Sequence, residues 1–422
     1  MEDVVCTQCG CLCDDLSVEV AENRVVRVSP ACPKAERWLK AGESPLEACR
    51  VDGRPAAFEA GIARAAELLR NARAPLVFGL LECDSDGQRA AVALADRIGA
   101  TIDVTGDDGG PLAMSQLGGA TCTLGEVRHR ADVVLIWNCD PIETHPRFFE
   151  RFLDPPGRFV PEGRAGRTVM LVSSQEAAAT RGRADLVATL TAGANRDYDA
   201  LWTLRALLKG IDVNAQQVER RTGVSLDVWK QISDRMRTAK YSAVLVSEHL
   251  AEGTVGRRNM ESLLAWNRDL NVGHARSVLV PMSPFGNALG ARLVLSRQTG
   301  FPQAVNLGPG GPRSFGREFG GPETLARGAA DAAVIVGNVR GTDFSPATLE
   351  RLKAIPTIVV ETASTDARFR PAATVSFAAA EPGRFAPGVA YRLDDVALPL
   401  SAPLASNRPT IAAVLERLIA AL

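Results

Sequence analysis

The chain has 422 residues, 46% hydrophobic but only 5% aromatic, with 48 Lys and Arg against 49 Asp and Glu. That balance offers no basic excess for nucleic acid and no acidic block of the kind found in disordered tails. The opening MEDVVCTQCG lacks the basic-then-apolar order of a secretory signal, and the apolar run VVLIW at 133–137 is strand-length rather than membrane-length. The expectation is a soluble, cytoplasmic protein of two or three packed units, with neither nucleic acid nor membrane as a partner.

Taken in order, CTQCGCLCDD (6–15) comes first, with four cysteines in eight positions of a chain that has nine in all. LSVEVAENRVVRVSP (16–30) predicts a hairpin turning at Glu22-Asn23, and ACPKAERWLKAG a short helix with Cys32 near its start. FEAGIARAAELLRNA is an amphipathic helix, APLVFGLL a buried strand, SDGQRAAVALADRIGA a helix and TIDVT a strand. VRHRADVVLIWNCDP, RTVMLVSS and ADLVATLTA add three more strands. Helical sequence from DYDALWTLRALLKG to DVWKQISDRMRTAK reads as a connector before YSAVLVSEHL, SVLVPMS, AAVIVGN and PTIVVET resume the strands. Strands alternating with helices at this spacing mean parallel α/β sheets. The expected division is a cysteine-bearing unit at 1–54, a first α/β domain at 55–205, a helical connector at 206–240 and a second α/β domain at 241–422. The Gly- and Pro-rich stretch 300–321 has no periodicity and is expected as a long loop facing a partner or solvent.

Cys6, Cys9, Cys13 and Cys32 follow the spacing Cys-x2-Cys-x3-Cys-x18-Cys. In a reducing compartment clustered thiols favour metal over disulfides. A tight loop plus one distant ligand can hold a four-iron, four-sulfur (4Fe-4S) cluster or, as second choice, a tetrahedral zinc. The uneven CxxCxxxC spacing fits zinc ribbons, built on two CxxC pairs, less well. Cys11 falls between the ligands and points elsewhere or replaces a neighbour.

CTQCGCLCDDLSVEV, with Cys32 beyond it, resembles the N-terminal cluster segment of the molybdopterin oxidoreductases, and more narrowly the B subunit of formylmethanofuran dehydrogenase. The resemblance continues through TCTLGEVRHRADVVLIWNCDPIETHPRFFERF, ADLVATLTAGANRDYDALWTLRALLKG, PMSPFGNALGA, LSRQTGFPQAVNLG and GVAYRLDDVALPL, all in the family's order. It implies a small cluster domain followed by interleaved α/β domains that hold two pterin guanine dinucleotides and tungsten or molybdenum.

The departures bear on function. The family's metal-binding cysteine or selenocysteine, with its histidine, falls where this chain reads Thr105-Gly106-Asp107-Asp108-Gly109-Gly110-Pro111. No cysteine occurs between Cys83 and Cys122 and no histidine precedes His129. A soft metal in a dithiolene site favours a thiolate or selenolate, and Asp108 is the carboxylate left to replace it. The family's Arg-Gly-His-Gly-Asn run is Ser283-Pro284-Phe285-Gly286-Asn287, its Ser-Asp-Pro is Gly337-Asn338-Val339, and its Asp-Pro-His segment is Glu361-Thr362-Ala363-Ser364-Thr365. The tungsten or molybdenum pterin is therefore expected to be absent.

That pattern resembles the B subunit of the bacterial formyltransferase/hydrolase complex. The resemblance implies a redox-silent structural component in tetrahydromethanopterin-linked oxidation of formaldehyde to formate. Its partners would be an amidohydrolase-like A subunit, a glutamate synthase-like C subunit and a formyltransferase D subunit. The alternative is an active tungsten or molybdenum dehydrogenase component. Other residues have plain readings. His145 is expected as a hydrogen-bonded loop anchor, His249 and His274 as structural, and Cys139 as a small packed thiol. Asp107 and Asp108 read as a solvated turn. Arg147 and Arg392 read as holding the fold or a contact with a sister chain. No catalytic residue is assigned.

Overall fold

A computed structural model describes residues 1–104, 117–174, 178–191, 196–251, 255–272, 276–314, 316–337, 344–362 and 373–422, without the side chains of 178, 248, 249 and 317. The chain forms two compact units, Met1–Asp108 with Phe285–Leu422, and Gly109–Pro284. It visits them in turn. The first passage lays down the hairpin β1 (Ser17–Ala21) and β2 (Arg24–Ser29), then β3 (Cys49–Val51), β4 (Arg54–Pro55), β5 (Pro75–Gly79) and β6 (Thr101–Asp103). The chain then builds β7 (Val133–Trp137), β8 (Thr168–Ser173), β9 (Leu186–Thr189), β10 (Ser242–Ser247) and β11 (Ser277–Met282). It returns for β12 (Val305–Asn306), β13 (Ala332–Val336), β14 (Thr357–Glu361), β15 (Val375–Ala378) and a closing hairpin of β16 (Gly388–Tyr391) and β17 (Ala397–Leu400).

Two sheets result. In the first unit eight strands run β12-β6-β5-β13-β14-β15-β3-β4, parallel from β6 to β15, with antiparallel strands at both edges. In the second unit five parallel strands run β11-β10-β7-β8-β9. The architecture is the α/β one expected, a cysteine-bearing N-terminus with interleaved parallel sheets. The division along the chain differs from 1–54, 55–205, 206–240 and 241–422. Strands from 55–205 enter both sheets, as do strands from 241–422, and β3 from the first segment joins the eight-stranded sheet. Segment 206–240 is no linker either. Val218, Trp229, Ile232 and Met236 sit in the core of the second unit, and Trp229 stacks on Trp137 of β7 at 6.4 Å.

The apolar runs form strands because both faces of each sheet strand are covered. Along β13, Ala332, Val334 and Val336 enter one core while Ala333 and Ile335 enter another. β5 divides the same way, with Val77 on one side and Leu76 and Phe78 on the other. Helices α1 (Pro33–Lys40), α2 (Phe58–Asn71) and α3 (Ser85–Ile98) belong to this unit. α2 and α3 place Ile62, Ala65, Leu69, Ala91, Leu94 and Ala95 in the larger core.

The stretch 300–321, expected as a loop, supplies the edge strand β12. Its anchor is Asp103, buried at the end of β6, whose carboxylate accepts from Ala304 N–H at 3.1 Å and Gly321 N–H at 2.8 Å. One short side chain thus ties both ends of an aperiodic segment, a link invisible to local pattern. Asp103→Ala leaves those two buried amides unpaired and is expected to lower stability by about 3 kcal/mol. Urea unfolding measures the loss, and limited proteolysis should cut first within 300–321.

Candidate metal centre

The cysteine segment folds as a tight loop. Cys6 N–H donates to the Cys13 carbonyl at 2.9 Å, which sets those two residues opposite each other at the neck of the loop. Leu12 N–H donates to the Cys9 carbonyl at 3.1 Å, and Leu12 takes a positive φ to close the turn. Cys6, Cys9, Cys11 and Cys13 are buried. Burial pushes the Cys6 thiol well above its ordinary range, and the neighbouring Cys9, Cys13 and Cys32 push the same way. Cys6 thus lies within electrostatic reach of the other three thiols of the spacing. Cys11 lies within 4.8 Å of Cys9 through their sulfurs.

Cys32 arrives on a separate element. It is the N-cap of α1, a helix started by Pro33 and closed toward Arg37 and Lys40, and its side chain makes no capping bond to its own helix. The thiol is left for other uses. Of the four, Cys32 is the half-exposed one.

Three buried thiols of the loop, with Cys32 on α1, are a donor set whose chemistry suits a metal. Burial raises the cost of ionising a lone thiol there, and a bound cation removes that cost. By donor type the thiols present suit a four-iron cluster, with zinc as the second choice.

Segments distant in sequence hold the loop. The backbone of Gly286 presses on the Thr7 carbonyl so closely that a Cβ at 286 would collide with it. Leu393 N–H donates to the Gly10 carbonyl at 2.9 Å. Arg392, paired with Asp394 at 2.7 Å, reaches Asp14 at 3.7 Å. Beneath the loop Val5 and Leu12 pack with Ala390 and Leu400 of the closing hairpin.

The remaining sequence candidates are placed as follows. Asn287 is buried, accepts from Tyr391 N–H at 2.7 Å and donates to the Cys83 carbonyl at 2.6 Å. Gln88 donates to the Asn287 carbonyl at 3.2 Å. Asn287 therefore ties three chain segments. In the second unit His145 is buried, with one ring nitrogen on the Ser283 carbonyl at 2.7 Å and the other on the Thr144 hydroxyl at 2.8 Å. Cys139 lies 3.7 Å from the Leu245 carbonyl, and burial, with Asp140 beside it, raises its thiol. Arg147 forks onto Glu150 at 2.8 and 3.1 Å. Thr105–Pro111, with Asp107 and Asp108, lies outside the described residues, as do Asn338-Val339, Ala363-Ser364-Thr365, His274 and the His249 side chain. Sequence reading missed Gly286 as a contact to the loop and missed Trp38, Glu381 and Arg384. No local signal links positions more than 270 residues apart.

The chain is 30% identical over 412 residues to the B subunit of the tungsten-containing formylmethanofuran dehydrogenase 2 of Methanocaldococcus jannaschii, covering 95% of this chain and 93% of that one. This chain belongs to the family of formylmethanofuran dehydrogenase B subunits. The B subunit of the formyltransferase/hydrolase complex of Methylorubrum extorquens is 27% identical over 293 residues, 67% of this chain and 73% of that one. Among solved structures, a chain of the formyltransferase/hydrolase complex from Methylorubrum extorquens, in complex with methylofuran, superposes with a TM-score of 0.70 at 23% identity. The match covers 88% of this chain and 98% of that one and establishes the shared, molybdopterin oxidoreductase-like fold. No family model matches the chain. Among the described residues no helix is long and apolar enough to cross a membrane.

For this member of the formylmethanofuran dehydrogenase family, Gly286→Ala is expected to force Thr7 and the cysteine loop outward, at a cost of about 3 kcal/mol. Thermal unfolding and protease sensitivity at residues 1–15 check it. Unchanged values for both would contradict the close packing.

Proposed function

We propose that this chain is a redox-silent B subunit of a formyltransferase/hydrolase-type complex, acting in tetrahydromethanopterin-linked oxidation of formaldehyde to formate in the cytoplasm. The chemistry falls to its sister chains: a formyltransferase, an amidohydrolase-like chain and a glutamate synthase-like chain. The observation that carries this reading is the absence of any cysteine between Cys83 and Cys122 and of any histidine before His129. The family takes its tungsten or molybdenum ligand from that segment, and a dithiolene-bound metal favours a thiolate or selenolate there. Asn287 supports the reading, because its side chain is committed to Tyr391 and Cys83 rather than open to a pterin.

In this reading Cys6, Cys9, Cys13 and Cys32 hold a 4Fe-4S cluster, with zinc as the second choice. Bound there, the metal cross-links α1 to the N-terminal loop, as metals do where a segment has little core of its own.

A second reading is an active tungsten or molybdenum pterin protein that oxidises or reduces a one-carbon unit. Two observations favour it. The similarity to a tungsten-containing relative runs over 95% of the chain, against 67% for the formyltransferase/hydrolase relative. Glu361, buried at the end of β14, also keeps one carboxylate oxygen without a hydrogen-bond partner among the described residues.

The two readings part on electron transfer. The complex purified without oxygen, given formylated carrier and a low-potential dye, is expected to release formate without reducing the dye. Sustained dye reduction coupled to turnover would overturn the redox-silent reading. Cys6→Ser and Cys9→Ser are expected to destabilise residues 1–54 or their docking to a partner, seen as earlier proteolysis and loss of co-purification. Formyl transfer in the complex that remains should continue. Full stability and assembly without those thiols would contradict a structural metal.

A further inference from the structure

The four thiols come from two pieces of chain, and the loop at 6–13 cannot fix Cys32 by itself. α1 spans eight residues, too few to hold its direction alone, so its orientation follows its tertiary anchors. Its hydrogen-bonded anchor is Trp38, buried six residues beyond Cys32, about 9 Å along a helix. Trp38 is held twice. Arg384, with a side chain 2% exposed, donates to the Trp38 carbonyl at 2.6 Å, and Glu381 accepts the indole N–H at 2.8 Å. Arg384 and Glu381 pair with each other at 3.0 Å.

The same turn reaches the other ligand-bearing segment. Gly383 has a φ of +79°, and a Cβ there would stand 3.3 Å from the Thr7 methyl, 3.7 Å from the Val5 carbonyl and 3.6 Å from the Trp38 ring. Residues 381–386 therefore touch both the cysteine loop and α1. The joint they make is charged and hydrogen-bonded, hence directional, where an apolar contact would let α1 roll.

We infer that Arg384, through its pair with Glu381, is the positioning residue for the fourth metal ligand, Cys32. The inference rests on the reading of Cys6, Cys9, Cys13 and Cys32 as ligands. Cys32 is the half-exposed member of the set, so the firmness of its placement governs how long the metal survives. Groups that orient a ligand without touching the metal commonly change metal retention about 10- to 100-fold.

The test compares wild type, Arg384→Met, Arg384→Lys, Trp38→Phe and Cys32→Ser, each as the full chain with its natural partners and purified without oxygen. Iron content, the rate of visible bleaching in air and the electron paramagnetic resonance of the three-iron product are read. In forming that product the cluster gives one electron to oxygen and releases one ferrous ion. Arg384→Met is expected to bleach about tenfold faster than wild type and to accumulate the three-iron signal. Arg384→Lys, which still donates to Trp38 and pairs with Glu381, should restore most of the wild-type rate. Trp38→Phe, which removes the indole bond alone, should lie between. A wild-type rate and no three-iron signal in Arg384→Met would overturn the inference, and if that variant does not fold the same result in Trp38→Phe does so. If wild type carries zinc, the iron reading fails, and the same ratio measured as zinc release to a chelator supports or overturns the positioning role. Wild-type metal content and bleaching in Cys32→Ser would remove Cys32 from the ligand set, and a metal-free wild type would remove the site. Either result overturns the inference together with the reading it rests on.

Discussion

A loop of eight residues carrying four cysteines has almost no interior, and the rest of the first unit is arranged around that shortage. Val5 and Leu12 reach a small apolar cluster only because β16 and β17 bring Ala390 and Leu400 beneath them. Gly286 closes on Thr7, Leu393 bonds Gly10, and Arg392 reaches Asp14. Each support comes from beyond residue 284, where the chain re-enters the unit. The interleaved topology follows from this need. A contiguous N-terminal domain would have to stabilise the loop with residues it does not possess.

The same supports bear on function. Positions that a cofactor-binding relative could direct at a ligand are here turned toward the protein. Asn287 satisfies two backbone groups and Arg392 braces the cysteine segment through Asp14. Under the redox-silent proposal, the scaffold keeps its thiols while its polar loops serve packing. It also explains how similarity to tungsten-containing relatives can run along the whole chain without a thiolate in the Cys83–Cys122 interval.

Much of this was legible in the sequence, for identifiable reasons. β5, β7, β10, β13 and β14 are covered on both faces and so read as unbroken apolar runs. The reading of Cys6, Cys9, Cys13 and Cys32 as ligands rests on spacing, and the last three are the thiols felt by Cys6. What escaped was non-local. Periodicity does not say which sheet a strand joins, so β7 to β9 could not be separated from β5 and β6. The two-residue β12 depends on Asp103, some 200 residues earlier. Trp38 and Glu381 carry no mutual signal across 343 positions, although their bond helps set the direction of α1.

The central claim is that the cysteine site persists in a protein without a catalytic tungsten or molybdenum. Elemental analysis for iron, zinc, tungsten and molybdenum, on the protein purified without oxygen with its natural partners, tests it most directly. The account predicts iron near four per chain, or zinc near one, with neither tungsten nor molybdenum. Stoichiometric tungsten or molybdenum would contradict it, and Asp108 would then be the first residue to replace.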